Sequence, residues 1–195
     1  MTLKVGITGN MGSGKTTVCK IFEQLKVPVF YADTAAKKLY SLPEIQKKII
    51  QQLGADCYHA DGSLNKTFFS QLIFSDPAVL RFVENLIHPL VAKKYHQWHQ
   101  EHYLFSFTLY EAAILFETGN LHKFHKIIYV AAPETIRIKR IEARDGLDEK
   151  SIQQRMDKQW PDEKKIALSD YIIHNDELQL LIPQVLSIRE KLQRI

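Results

Sequence analysis

The sequence predicts an α/β fold: a five-stranded parallel sheet with helices on both faces. Three features predict it. Five short apolar runs rich in β-branched or aromatic residues have the length of strands buried on both faces. Helical stretches alternate with them, and the connections are long enough for parallel crossovers. A glycine-rich segment follows the first run and opens a helical pattern, at the end of a sheet where α/β proteins place ligands.

The five predicted strands are Leu3–Thr8, Val27–Ala32, Leu104–Ala112, Lys126–Ala132 and Asp170–His174. The first helical pattern is Thr17–Leu25. A longer one, Ala78–His102, carries Leu80, Val83, Ile87, Leu90 and Val91 at the spacing of one helix face. Pro133–Arg144, Glu149–Gln159 and Glu177–Leu192 also read as helical. About 70 residues separate strands two and three, against about 10–15 for a simple crossover helix. That stretch therefore holds a helical insertion, and a charged helical stretch, Arg137–Lys165, separates strands four and five. The expected division is a core of about 1–33, 103–136 and 166–195, an insertion of about 55–102, and a further helical segment of about 137–165.

Composition bounds the function. The chain has 195 residues, 45% of them hydrophobic and 25% charged, which suits one globular domain with an insertion. The net charge of +4 suits an anionic ligand, but no block of Lys and Arg forms a nucleic-acid tail. Nucleic acid is not an expected partner. Cys19 and Cys57 lie outside any metal or redox spacing and read as reduced, packed thiols. The start of the chain lacks signal-peptide character, and the longest apolar runs fall far short of a membrane span of about 20 residues. The expectation is a soluble cytoplasmic protein without membrane contact, a monomer or weak homo-oligomer.

The run Gly9-Asn10-Met11-Gly12-Ser13-Gly14-Lys15-Thr16 fits the phosphate-binding pattern GxxxxGK[ST]. Its glycines let successive backbone N–H groups curl around a phosphate, and the helix that follows adds its positive end. Lys15 would reach the β- and γ-phosphates and the Thr16 hydroxyl would bind Mg²⁺. The loop fixes the ligand and leaves the reaction open. The DxxG and NKxD segments of a GTPase are missing from the sequence, as is an LSGGQ-like signature.

A small-molecule kinase needs an acceptor-side carboxylate and basic residues that close over the phosphates. Asp33, at the predicted end of strand two, suits the first role, although it would equally cap a helix starting at Thr34. Glu111 and Glu117 bracket the end of strand three. A carboxylate there can hold Mg²⁺ through water, or can simply cap or face solvent. Arg137, Arg140, Arg144 and Arg155 follow strand four. Arg140 and Arg144 share a helix face and could clamp one polyphosphate, but interleaved acids make an ordinary solvated face the alternative.

In order and spacing these segments resemble the dephospho-coenzyme A kinase family, nearly end to end. The resemblance runs from Val5-Gly6-Ile7-Thr8-Gly9 through Val29 to Asp33, Leu53-Gly54, Asp61-Gly62-Ser63-Leu64-Asn65, Ile73-Phe74 and His88-Pro89. It continues through Ile114-Leu115-Phe116-Glu117, Arg140 to Gly146, Arg155, Gln159 and Ser169 to Asn175. It implies a P-loop kinase fold and Mg²⁺-dependent transfer from ATP to the ribose 3′-hydroxyl of dephospho-CoA. By that resemblance Gly9, Gly12, Ser13, Gly14, Lys15, Thr16, Thr17, Arg144 and Asn175 serve the nucleotide. Asp33, Lys15 and Arg140 are catalytic, with Arg140 on a closing lid of about 137–165. The insertion would receive the coenzyme, with Asp33, His88 and Glu111 on the substrate side and Thr16 and Glu111 (through water) at the metal.

The sequence departs from the family pattern at Asn10, Tyr31, Glu111 and Ala113, where Gly, Asp, Asp and Pro are common. Glu111 keeps the charge with one more methylene. The histidines His96, His99, His102, His122 and His125 read as surface residues. Phe68, Phe69, Phe74 and Phe82 read as core of the insertion.

Overall fold

The computed structural model describes residues 2–117, 119, 121–146, 148–157 and 159–195. The chain forms two compact units: Met1–Tyr31 with Glu101–Ile195, and Ala32–Gln100.

The first unit holds a five-stranded sheet of β1 (Leu3–Thr8), β2 (Val29–Tyr31), β3 (Phe107–Glu111), β4 (Lys126–Ala131) and β5 (Tyr171–His174). Their order is β2-β3-β1-β4-β5, and every pairing is parallel. Parallel strands need long crossovers, and the helices supply them. In this unit these are α1 (Lys15–Gln24), α6 (Glu134–Asp145), α7 (Glu149–Met156), α8 (Asp162–Ala167) and α9 (Leu181–Gln193), with α2 to α5 in the second unit. Alternate strand residues Val5, Ile7, Leu109, Ile128, Val130 and Ile173 form one buried core with Val18, Cys19 and Phe22 of α1 and Val185, Ile188 and Leu192 of α9.

Several boundaries differ from the sequence expectation for local reasons. Strand β2 begins after Pro28, which has no N–H for the ladder. Strand β3 begins at Phe107 because Tyr103 to Phe105 are exposed and Phe105 N–H turns back to the His102 carbonyl. Helix α9 starts at Leu181 rather than Glu177. Glu177 has a left-handed φ of 66°, and the Asp176 carboxylate caps the N–H groups of Leu178 and Gln179. The charged stretch 137–165 is three helices: Gly146, at φ 64°, ends α6, Asp148 caps α7, and Pro161 opens α8.

The second unit is helical: α2 (Ala32–Leu39), α3 (Pro43–Leu53), α4 (Lys66–Ser75) and α5 (Pro77–Glu101, whose last residue belongs to the first unit). It starts at Ala32, earlier than the expected 55, because α2 and α3 are tied to later residues. The Tyr40 and Phe69 rings meet at 5.3 Å, Tyr58 O–H donates to the Tyr40 carbonyl, and Gln46 donates to the Gly62 carbonyl. Phe69 is buried as expected, whereas Phe74 is 69% exposed and is not core. Leu80 is likewise exposed, so the buried stripe of α5 runs through Val83, Ile87, Val91 and Tyr95. Among the described residues no helix is long and apolar enough to cross a membrane.

Candidate active site

The phosphate loop leaves β1 at Thr8 and ends where α1 begins at Lys15. Gly12 and Gly14 take left-handed φ values of 80° and 88°, which favour glycine. Space enforces the same choice. A Cβ on Gly12 would stand 2.7 Å from the Arg137 carbonyl, and one on Gly14 would collide with the Asn175 amide. Inside the loop Ser13 N–H donates to the Asn10 carbonyl at 3.0 Å, and Asn175 Nδ2 donates to the Ser13 carbonyl at 2.7 Å. Lys15 Nζ donates to the Gly9 carbonyl at 2.7 Å, folding its ammonium back over the loop.

These features fit an anion. Gly14 is the N-cap of α1, no side chain caps that end among the described residues, and its first turn carries no acid. The positive end of the helix dipole is therefore presented to the loop. Ser13 Oγ is buried with no hydrogen-bond partner among the described residues, a donor held in reserve. Thr16 and Thr17 are exposed on the same turn, so the Thr16 hydroxyl could serve as a protein ligand to a phosphate-bound Mg²⁺.

The arginines divide. Arg140 lies beside the loop: Nη1 donates to the Gly12 carbonyl at 3.5 Å, and Nη2 reaches the Asn175 carbonyl at 3.3 Å and Glu177 at 3.1 Å. Arg144 instead forms a bidentate pair with Asp145, both bonds 2.8 Å, at an exposed position. The two share a helix but not a partner, because the adjacent carboxylate captures Arg144. Arg155 is exposed. Arg137 is no part of a mobile clamp: it is 4% exposed, donating from Nε to the Ala132 carbonyl at 3.1 Å and from Nη2 to Asp162 at 2.9 Å.

The carboxylates divide as well. Glu111 ends β3, is 7% exposed, and pairs in register with Ile7 on one side and Tyr31 on the other. It faces α1, where burial and then its charge push the Cys19 thiol far above the ordinary thiol range, so Cys19 is inert. Glu117 is a structural anion. Its Oε1 accepts from Lys165 Nζ at 2.6 Å and from Trp160 N–H at 3.1 Å. Burial would raise its carboxyl, but these bonds outweigh that and hold it below the ordinary value.

Asp33 is neither at a strand end nor an N-cap. Helix α2 begins at Ala32, immediately after β2, so Asp33 is in its first turn, exposed, in the second unit. A carboxylate there complements the helix dipole and stays free for other work. His88 lies exposed on α5 in the same unit.

Sequence reasoning missed what lies behind the loop. Asn10 Nδ2 donates to the Trp160 carbonyl at 3.2 Å and to Asp162 Oδ1 at 3.1 Å, and Asn10 Oδ1 accepts from Lys165 Nζ at 2.7 Å. Met11 N–H donates to Gln159 Oε1 at 2.8 Å. The Tyr129 hydroxyl donates to the Asp162 oxygen that Asn10 also uses. The sequence signals were Asn10 and Gln159, which the sequence shows only as a departure from and a match to the family pattern, and Tyr129, a hydroxyl among the apolar residues that follow Lys126. Lys165 and Asp162 look like solvated helix charges until the fold buries the first of them completely.

Comparison with known proteins agrees with this geometry. The dephospho-CoA kinase family model matches residues 3–179. A dephospho-CoA kinase of Bacteroides fragilis is 34% identical over 189 residues, covering 96% of this chain and 92% of that one. The crystal structure of TT1252 from Thermus thermophilus superimposes with a TM-score of 0.87 at 26% identity over 97% of each chain. A dephospho-CoA kinase from Campylobacter jejuni shares the fold, with a TM-score of 0.72 at 21% identity over 100% of this chain and 98% of that one. With the loop, its arginine and its strand order accounted for, the chain belongs to the dephospho-CoA kinase family.

Proposed function

We propose that the protein transfers the γ-phosphate of ATP to the ribose 3′-hydroxyl of dephospho-CoA, forming coenzyme A. The observation that carries this reading is the loop: two left-handed glycines, a helix N-terminus without a side-chain cap, a reserve hydroxyl on Ser13 and the Lys15 ammonium all belong to one segment, residues 9–16, that joins β1 to α1. Gly9, Gly12, Ser13, Gly14, Lys15, Thr16 and Thr17 hold the nucleotide phosphates, with Asn175 bracing the loop and Arg144 free to exchange Asp145 for phosphate.

Little covalent chemistry falls to the protein in phosphoryl transfer; positioning and charge stabilisation supply the rate. Lys15 and Arg140 stabilise the charge that builds on the transferring group. Asp33 orients the acceptor hydroxyl and takes its proton, with His88 contributing on the acceptor side. Thr16 and, through water, Glu111 would hold Mg²⁺, which would supply charge neutralisation to the transferring phosphoryl group. The helical unit, residues 32–100, receives the coenzyme, and the lid lies within residues 137–165, short of Arg137 and of residues 159–165, which are bonded to the core and the loop. The enzyme acts in the cytoplasm.

Incubation with Mg-ATP and dephospho-CoA, followed by mass spectrometry beside a control without acceptor, tests the reading. Coenzyme A that appears only with acceptor is the expected result; intact acceptor overturns it. Asp33→Asn is expected to keep ATP affinity while losing about 10²–10⁴-fold in kcat. Full turnover in that variant removes Asp33 from the chemistry.

A further inference from the structure

We propose that Lys165 is a positioning residue for the nucleotide, acting through the amide of Asn10 to hold the phosphate loop in its binding form. The inference rests on the ATP-binding part of the reading above. Lys165 is fully buried, an unusual place for an ammonium, and it is retained in such places only where its partners replace water. Glu117 alone would satisfy a purely structural ion pair. The ammonium instead bridges Glu117, at 2.6 Å, to the loop itself, at 2.7 Å from Asn10 Oδ1.

The grip bears on the part of the loop that fixes N–H direction. The Asn10 carbonyl accepts the Ser13 N–H, closing the turn that holds Gly12 at φ 80°. Three groups from residues 160–165 hold the Asn10 side chain: the Trp160 carbonyl, the Asp162 carboxylate and the Lys165 ammonium. Asn10 therefore cannot swing without breaking bonds to a buried cation and a half-buried anion. A loop already ordered from behind gives up less freedom when phosphate enters from the front. The polar back of the loop thus supplies preorganisation, while residues 13–17 supply the contacts.

Equilibrium titration of ATP with Mg²⁺ and no acceptor tests this on three proteins. Asn10→Ala removes the grip and strands no buried charge. Lys165→Met with Glu117→Gln neutralises the ion pair together, and the third protein combines all three substitutions. Loss of a hydrogen bond to a charged group predicts that Asn10→Ala and the paired variant each bind ATP about tenfold more weakly. The combined protein should be no weaker than Asn10→Ala alone, since the Lys165 contact is among the three that Asn10→Ala already removes. KM for dephospho-CoA should stay unchanged. Unchanged ATP affinity with only a lower unfolding temperature overturns the proposal, as do losses that simply add or that fall equally on both substrates. Should the paired variant fail to fold, Lys165→Gln with Glu117→Gln, which removes the charges and keeps polar groups at both places, takes its position in the titration with the same expected loss and the same overturning result. Wild-type protein that binds ATP without making coenzyme A overturns the substrate reading and leaves this one to the titration.

Discussion

The two faces of the sheet are built from the same five strands and solve different problems. The face toward α1 and α9 is dry: Val5, Ile7, Leu109, Ile128, Val130 and Ile173 meet Val18, Phe22, Val185, Ile188 and Leu192. The opposite face packs Ile127, Leu115 and Phe116 but also buries Thr8, Thr108 and Tyr129, and around the last of these gather Asp162, Arg137, Asn10 and Lys165. Apolar contact is non-directional and tolerates small shifts, whereas a buried polar group must find its partner at one distance and angle. The dry face therefore supplies cohesion, and the polar face supplies register, where β1 hands the chain to the phosphate loop.

Substitution on each face should separate these roles. Phe22→Ala is expected to cost about 3–5 kcal/mol by opening a cavity, and Arg137→Met about 1.5–3 kcal/mol by taking the paired cation from Asp162, which keeps its hydrogen bonds from Tyr129 and Asn10. The two losses differ in how they are repaired. Adding Asp162→Asn to Arg137→Met should restore most of the stability in denaturant melts, since the uncompensated charge is gone, while no single partner change should repair Phe22→Ala. Failure of that rescue would mean that the polar face, too, is held by packing alone.

Acid sharpens the contrast next. The folded Glu117 carboxyl titrates below its ordinary value of 4.5, so its stabilisation is complete above that value and is lost as pH falls through the lowered one. In that window the unfolded chain binds a proton that the folded chain does not. Stability should therefore fall more steeply with acidification in the wild type than in Glu117→Gln, and the difference should vanish above about pH 6. Parallel curves would remove Glu117 from the acid response.

Smaller changes should matter little. Ile128→Val, one methylene from the dry face, is expected to cost about 0.5–1.5 kcal/mol. Lys126→Ala breaks a 2.7 Å pair with Asp170 in which both partners are about one-third exposed, and it should cost about 0–1 kcal/mol. A Lys126→Ala loss as large as that of Arg137→Met would erase the distinction between buried and surface pairs drawn here.

The dry face and the front of the site were legible in the sequence. Short apolar runs rich in β-branched residues specify strands, GxxxxGK[ST] specifies the turn, and Gly12 and Gly14 stand where the backbone goes left-handed, because these constraints act within a few residues. The order β2-β3-β1-β4-β5, by contrast, is set by which strands meet in space. Two local features differ from the sequence expectation, the surroundings of Asp33 and the start of α9. Asp33 was expected at the end of strand two, yet helix continues straight out of β2. Glu177 looked helical until its left-handed φ and the Asp176 cap set the start four residues later.

Local sequence thus determined the strands, the loop and its basic and hydroxyl groups, since backbone geometry and hydrophobic period are properties of neighbours. Only the tertiary structure decided which charges are buried. Arg137 and Lys165 have the same chemical character as Arg144 and Arg155, and nothing within a few residues separates them. Their roles depend on partners 25 to 155 positions away, Asp162 for the one and Asn10 for the other. A charge acquires a structural role only when the fold removes its water and puts a partner there instead.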